Sequence, residues 1–168
     1  MNATSSAERG QPRLFNSALE TGVRAVVNLE ANFPATLSLE RLIELDHLVV
    51  HVSDVGGPGS LHPDAPKRAT EMIVRRGIIE RGLLLMESRG LVTRELSDDG
   101  IRYKAGEEAA NFVSWLRTDY SSRLRESARY LADLLSRIGD AEFDHIVAQQ
   151  FERWALEFQP IESTGGAN

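Results

Sequence analysis

The chain has 168 residues, 42% of them hydrophobic and 26% charged, enough for one well-buried core and short for two. It contains no run of about 18 apolar residues, and its start, MNATSSAERGQPR, lacks the apolar stretch of a signal peptide, so a soluble, cytoplasmic protein is expected. With no cysteine and a net charge of −6, a disulfide framework, a thiolate zinc site and a cysteine nucleophile are excluded together, and any metal would need His, Asp or Glu.

Residues 1–13 are polar, include Gly10 and Pro12, and are expected to form a disordered tail. Ser17-Ala18-Leu19-Glu20 fits a capping box, in which hydroxyl and carboxylate each satisfy an orphan backbone donor. A first helix is therefore predicted from about Ser17, with Leu19, Val23, Val26, Val27 and Glu30 at helical spacing and Phe33-Pro34 closing it. Ser38 is the expected N-cap of a second helix, with Glu40 favourably placed in its first turn. Leu39, Leu42, Ile43, Leu45, Leu48, Val49, Val50 and Val52 wrap widely around that helix, which predicts burial on most sides. From Asp54 to Pro66 the prolines Pro58, Pro63 and Pro66 forbid a helix, and so long a loop is often functional.

The stretch from Arg76 to Gly106 reads as a helix feeding a two-stranded wing. Leu83, Leu84 and Met86 form an apolar face that stops at Gly90, where a helix C-cap favours glycine. Leu91 to Leu96 then alternates, Ser97-Asp98-Asp99-Gly100 supplies turn chemistry with Asp99-Gly100 as the strong hairpin pair, and Ile101 to Lys104 resumes an extended pattern. Beyond the wing, Phe112, Leu116, Tyr120, Leu124, Ala128, Leu131, Leu135 and Ile138 predict a long helix, recapped midway at Thr118 or Asp119. Asp140 caps a last helix with Phe143, Val147, Phe151, Trp154 and Phe158 on one stripe, either packed on the core of the same chain or left for a partner. The expected fold is mainly α, with a winged helix-turn-helix core, a β-hairpin wing and additional C-terminal helices. One domain is expected over residues 14–158 and a flexible tail over 159–168.

Charge is unevenly distributed. Between Lys67 and Lys104 nine basic residues face six acidic ones, a net of +3, which leaves −9 for the rest of a chain whose total is −6. A dedicated DNA-binding module shows a basic face, because neutralising phosphates drives affinity; a pI of about 5.3 argues against one. Glu71 also precedes Arg75, and Arg76 precedes Glu80, by the four-residue spacing at which opposite charges pair on a helix.

Candidate chemistry is sparse. His47 and His51 stand four apart, with Asp54 and His62 following, and make the best metal constellation available. The glutamate of HExxH is absent, however, and His47 lies among Leu45, Leu48 and Val49, which favours a core histidine. Gly56-Gly57-Pro58-Gly59 lacks the lysine and the Ser/Thr of a phosphate loop and reads as a turn. No serine sits in a GxSxG elbow, and Asp98-Asp99 and Glu107-Glu108 occupy a turn or a helix start. Neither a catalytic residue nor a cofactor is assigned, and the chain is expected not to be an enzyme.

Three ordered blocks, LFNSALETGVRAVV (Leu14 to Val27), LERLIELDHLVVHVSDVGGPGSLHPDAPKR (Leu39 to Arg68) and RGLLLMESRGLVTRELSDDGIRYKAG (Arg81 to Gly106), resemble the middle component of prokaryotic ABC-three-component systems. Where that pattern expects a proline and an aromatic residue, this chain has Ala18 and His47. The resemblance implies a winged-helix-bearing subunit that joins an SMC-like ABC ATPase to an effector, often a nuclease, as in the Lamassu anti-phage systems. The implied role is that of a non-catalytic adaptor, with DNA reached mainly through the ATPase and no membrane involved. Candidate contacts with a partner or DNA are Arg68, Arg75, Arg76 and Arg81, with Arg102 on the wing and His62, which with Pro63 shapes the long loop. The same arginines also fit a solvated charged face. A winged-helix transcription regulator that reads duplex DNA is the alternative, and a metal-dependent hydrolase built on His47, His51 and His62 is a third class.

Overall fold

The computed structural model describes residues 17–62 and 68–157, without the side chains of 68–74 and 154–157. The expectations for the two tails, for Pro63, Pro66, Lys67 and Phe158, and for the side chains of Arg68, Glu71 and Trp154 lie outside the described residues. Helix α1 spans Ala18–Ala31, and the Ser17 hydroxyl accepts from the Glu20 amide at 3.1 Å, the hydroxyl half of the capping box. Asn32 closes the helix and a cis Phe33-Pro34 bond turns the chain. The short strand β1, Leu37–Ser38, leads directly into α2, Leu39–Leu48, whose N-terminus is capped by Ser38 accepting from the Arg41 amide.

Helix α2 is shorter than its apolar pattern predicts. It ends at Leu48: His51 leaves helical geometry at φ −125° and ψ 37°, and the Val50 carbonyl accepts from the amides of Leu61 and His62, at 2.9 and 3.1 Å, as the following loop returns. Val49, Val50 and Val52 are nevertheless buried, so the sequence marks the core correctly while mistaking the element. A 3-10 turn covers Val52–Val55.

Helix α3, Arg68–Glu87, is followed by Gly90 at φ 72° and then by strands β2, Val92–Ser97, and β3, Gly100–Ala105. The hairpin pairs Ser97 with Gly100, so Asp98 and Asp99 form the loop and the glycine takes the positive φ just after it. This differs by one position from the Asp99-Gly100 turn expected from sequence. Among the described residues the strands form one antiparallel sheet in the order β1-β3-β2, with Leu37 opposite Tyr103.

Helix α4, Ala109–Trp115, precedes α5, Asp119–Glu157. The Thr118 hydroxyl accepts from the Ser121 amide at 3.1 Å, the recapping expected at this point. Within α5, Gly139 has φ 81° and ψ 168°, outside the helical region and costly for a side chain with a Cβ. The helix is therefore two rods, the second starting at Asp140 as the sequence predicts.

The core draws Val26 and Leu29 from α1, Leu42, Leu45 and Leu48 from α2, Ile79, Leu83 and Met86 from α3, and Leu124, Leu131 and Phe143 from α5. Phe143 and Val147 are buried, so these two members of the last stripe pack within the chain. Helices α1 and α3 approach backbone to backbone: a Cβ on Gly82 would lie 2.8 Å from the Ala18 carbonyl oxygen and 2.8 Å from the Gly22 nitrogen. The protein is thus mainly helical, with a small three-stranded antiparallel sheet and a C-terminal helix.

Candidate functional site

Three helices converge on one buried carboxylate. Asp46 of α2 accepts from Arg24 Nε at 2.7 Å and Nη2 at 3.2 Å, and from Arg75 Nη1 at 2.5 Å. Two charge-assisted contacts from Arg24 form the bidentate geometry that holds a guanidinium in one plane. Burial acts to lower the Arg24 pKa, but the Asp46 charge and hydrogen bonds outweigh it and the guanidinium is held above its ordinary value. Arg75, expected on the outer face, is turned inward instead. Its neighbour Arg76 points outward to Glu40 and Glu80, at 3.4 and 3.5 Å.

The histidines continue this polar interior. The His47 and His51 rings lie 4.6 Å apart, and His51 lies 6.2 Å from His62. His51 stands beyond the end of α2, so one helical face does not present the pair. Phe151 closes on His47 at 6.1 Å from the second rod of α5. His62 Nε2 and the Tyr120 hydroxyl are hydrogen-bonded at 3.1 Å. Burial, with Arg24 and Arg75 nearby, lowers the His62 pKa, and Asp46 opposes that shift. Burial raises the Tyr120 pKa. No group of three or more His, Asp or Glu side chains is arranged to hold a metal ion among the described residues.

A second ionic cluster ties α2 to the second rod of α5. Arg41 donates to Glu44 at 2.6 Å, Asp140 at 3.0 Å and Asp144 at 2.6 Å, while its guanidinium carbon sits 4.6 Å from the Phe143 ring centre. Burial raises the Glu44 pKa, opposed by the Arg41 charge. This clasp borders a cleft of about 930 Å³ between the Asn32–Ser38 turn and α5. Nothing in the spacing of Arg41 announces it, because its partners Asp140 and Asp144 lie about a hundred residues away.

The remaining sequence-predicted contacts are dispersed. Arg81 is exposed on α3, whereas Arg102 donates to the Thr36 hydroxyl and carbonyl, both at 2.8 Å, and pins β3 to the turn before β1. Arg76 and Arg81 are exposed on α3, Arg102 serves the junction of β3 with the turn before β1, and Arg75 and His62 meet around Asp46, where Arg75 helps to lower the His62 pKa. On the hairpin, Arg94 bonds Glu87 at 2.9 Å and Lys104 pairs with Glu95. Of the pairs on α3 and the hairpin among the described residues, only Arg76–Glu80 has the four-residue spacing that the sequence signals.

The architecture is that of a small helical protein in which Arg24, Arg41, Arg75, Arg94 and Arg102 join its own elements. The family model for the ABC-three component (ABC-3C) system Middle Component 2 matches residues 14–157, and the chain belongs to that family. No curated protein and no solved structure matches it. The middle-component resemblance seen in three sequence blocks therefore holds along nearly the whole described length. Ala18 and His47, the two departures noted above, are the first residue of α1 and a fully buried core position. No helix among the described residues is long and apolar enough to cross a membrane.

Proposed function

We propose that this middle component is a non-catalytic adaptor, linking an SMC-like ABC ATPase to an effector, a nuclease, in a Lamassu-type system of anti-phage or anti-plasmid defence. The observation that carries the reading is the family match over residues 14–157. It is supported by the engagement of Arg24, Arg75, Arg76, Arg94 and Lys104 with carboxylates of the same chain, which leaves them poorly suited to gripping a phosphate backbone. The adaptor acts in the cytoplasm and reaches DNA through the ATPase.

The helical core is read as a winged helix-turn-helix. In support, α1, β1, α2, α3 and the β2–β3 hairpin follow one another in that order, with β1 against β3. Signal transmission then requires the adaptor to bind resting and activated assemblies with different affinity, since a ligand shifts an equilibrium only by its differential binding.

Co-expression of the tagged chain with its neighbouring genes, followed by sizing and mass analysis of the eluate, tests this. Stable capture of a coiled-coil ATPase, with or without a nuclease, supports the adaptor. A lone homodimer that binds a specific duplex with a steep salt dependence overturns it in favour of the regulator.

A further inference from the structure

We propose that the cleft between the Asn32–Ser38 turn and α5 is a docking groove for a peptide segment that presents an arginine or lysine side chain and belongs to another protein component of the system. The inference rests on the adaptor reading and deepens it by assigning a surface and the chemistry of what it takes.

Two stretches far apart in sequence build the cleft. The turn after α1 supplies Phe33, Pro34 and Leu37, and α5 supplies Leu135 and, past the Gly139 break, Asp140 and Asp144. Leu37 is part of the core, whereas Phe33 is 64% exposed. At about 930 Å³ the cleft has the size of pockets that enclose a ligand. One wall therefore carries an exposed ring and the other a row of carboxylates.

The lining is short of positive charge. Glu40, Glu44, Asp133, Asp140 and Asp144 face Arg41, Arg102 and Arg129, five carboxylates against three guanidiniums, a formal net of −2. Glu44, Asp140 and Asp144 share the single charge of Arg41. Asp140 and Asp144 each give Arg41 only Oδ1, and their Oδ2 atoms take no hydrogen bond from the described residues. Arg102 is committed to the Thr36 hydroxyl and carbonyl. The crowding registers at Glu44, where burial raises the pKa against the pull of Arg41 and the charges of Asp144 and Glu40 raise it further.

Charge selects the occupant. A polyanion would add negative charge to a surface that already holds too much of it. A purely apolar segment would strip water from the carboxylates and return no hydrogen bond. A bare metal ion does not fit, since no group of three or more His, Asp or Glu side chains among the described residues is arranged to hold one. A guanidinium or ammonium meets both walls: it makes charge-assisted hydrogen bonds to the free Oδ2 atoms, while its aliphatic stem covers Phe33. Arg41 already combines the two contacts, with carboxylates at its nitrogens and its guanidinium carbon 4.6 Å from the Phe143 ring centre. A peptide also brings carbonyl oxygens, and Arg41, 8% exposed in the lining of the cleft, has a buried Nε with no hydrogen-bond partner among the described residues.

The test is capture of the co-expressed ATPase and effector components by the full-length tagged chain, compared with Asp140→Asn/Asp144→Asn and, separately, Phe33→Ser. The double variant is expected to lose capture by at least about tenfold, the scale of a small hot-spot cluster, and wild-type capture should weaken as salt is raised. Phe33→Ser leaves the Arg41 pairs in place and should also lose capture, which separates docking from any loosening of the second rod. Equal capture by wild type and both variants overturns the groove while leaving the adaptor reading intact. Photoreactive p-benzoylphenylalanine in place of Phe33 then reports the occupant: a crosslink to another component, next to an arginine or lysine, is expected. A crosslink to a stretch without either cation, to a second copy or to this chain's own tails overturns the proposal. If the wild-type chain captures neither component, the adaptor reading fails and this inference with it.

Discussion

Arg75 Nη1 lies 2.5 Å from Asp46 Oδ2 inside the protein, on a carboxylate whose other oxygen already takes Arg24 Nε at 2.7 Å. One anion thus fixes three helices: α1 through Arg24, α2 through itself and α3 through Arg75. The cost of burying charge is recovered only when each group keeps its partner.

Asp46→Ala leaves both guanidiniums without that carboxylate and facing one another. The expected loss is about 3–5 kcal/mol, the range for breaking a buried ion pair from one side. Arg75→Ala should cost less, roughly 1.5–3 kcal/mol, because Arg24 still makes two contacts to Asp46. Urea denaturation of the two variants checks the order. A smaller loss for Asp46→Ala than for Arg75→Ala would show that the carboxylate is not the centre of the network.

Local signals in the sequence proved reliable because the physics behind them is local. Ser17 and Ser38 cap helices that begin at the next residue, Thr118 recaps the chain before α5, Asp140 opens the second rod of that helix, and Gly90 follows α3 at positive φ. The hairpin fell one position from its expected turn, since Asp98-Asp99 and Asp99-Gly100 differ only in which loop type the strands impose. What sequence spacing did not reveal was long-range pairing. Nothing in it separates Arg75, whose partner lies in another helix, from Arg76, which pairs with Glu80 on its own helix and Glu40 beyond it. The same limit hid the Arg41 clasp and placed His51 on a helix that ends three residues earlier. The family resemblance, by contrast, was carried by the order of whole blocks and extends across residues 14–157.

Gly82→Ala offers a test of the α1–α3 contact. In an exposed helix the change would stabilise by about 1 kcal/mol. Here the new Cβ would meet backbone atoms, the Ala18 carbonyl oxygen and Gly22 nitrogen both at 2.8 Å, which cannot swing aside as a flexible side chain would. Forcing the helices apart should cost about 1–3 kcal/mol net. A raised melting temperature for this variant would disprove the close approach.

Arg41→Ala should act locally. Its partners Asp140 and Asp144 are 82% and 62% exposed, so solvent screening limits what these pairs add to global stability. Their placement matters more, because both lie just past the Gly139 break and Phe143 beneath the guanidinium belongs to the same rod. Hydrogen exchange should speed up for amides in residues 140–153 while the centres of α1 and α3 keep their protection. Uniform loss of protection throughout the chain would instead make Arg41 part of the global core.

His62 carries a pH dependence whose sign follows from its surroundings. Burial and the Arg24 and Arg75 charges hold its pKa below the ordinary 6.5, with Asp46 opposing, so the unfolded chain takes up this proton at higher pH than the folded chain does. The stabilising contribution of neutral His62 is complete above 6.5 and falls as the pH drops from there towards the lowered folded value; below that value the loss levels off. Glu44, whose pKa is raised by burial against the pull of Arg41, acts with the opposite sign: stability is gained as the pH falls through its raised value. Comparison with His62→Gln removes that shared background, and glutamine retains a polar group facing Tyr120. Between about pH 7.5 and about pH 5.5 the wild-type melting temperature should fall further than that of His62→Gln. Identical pH profiles would mean that His62 titrates as freely in the folded chain as in the unfolded one, and that its contact with Tyr120 does not depend on the neutral ring.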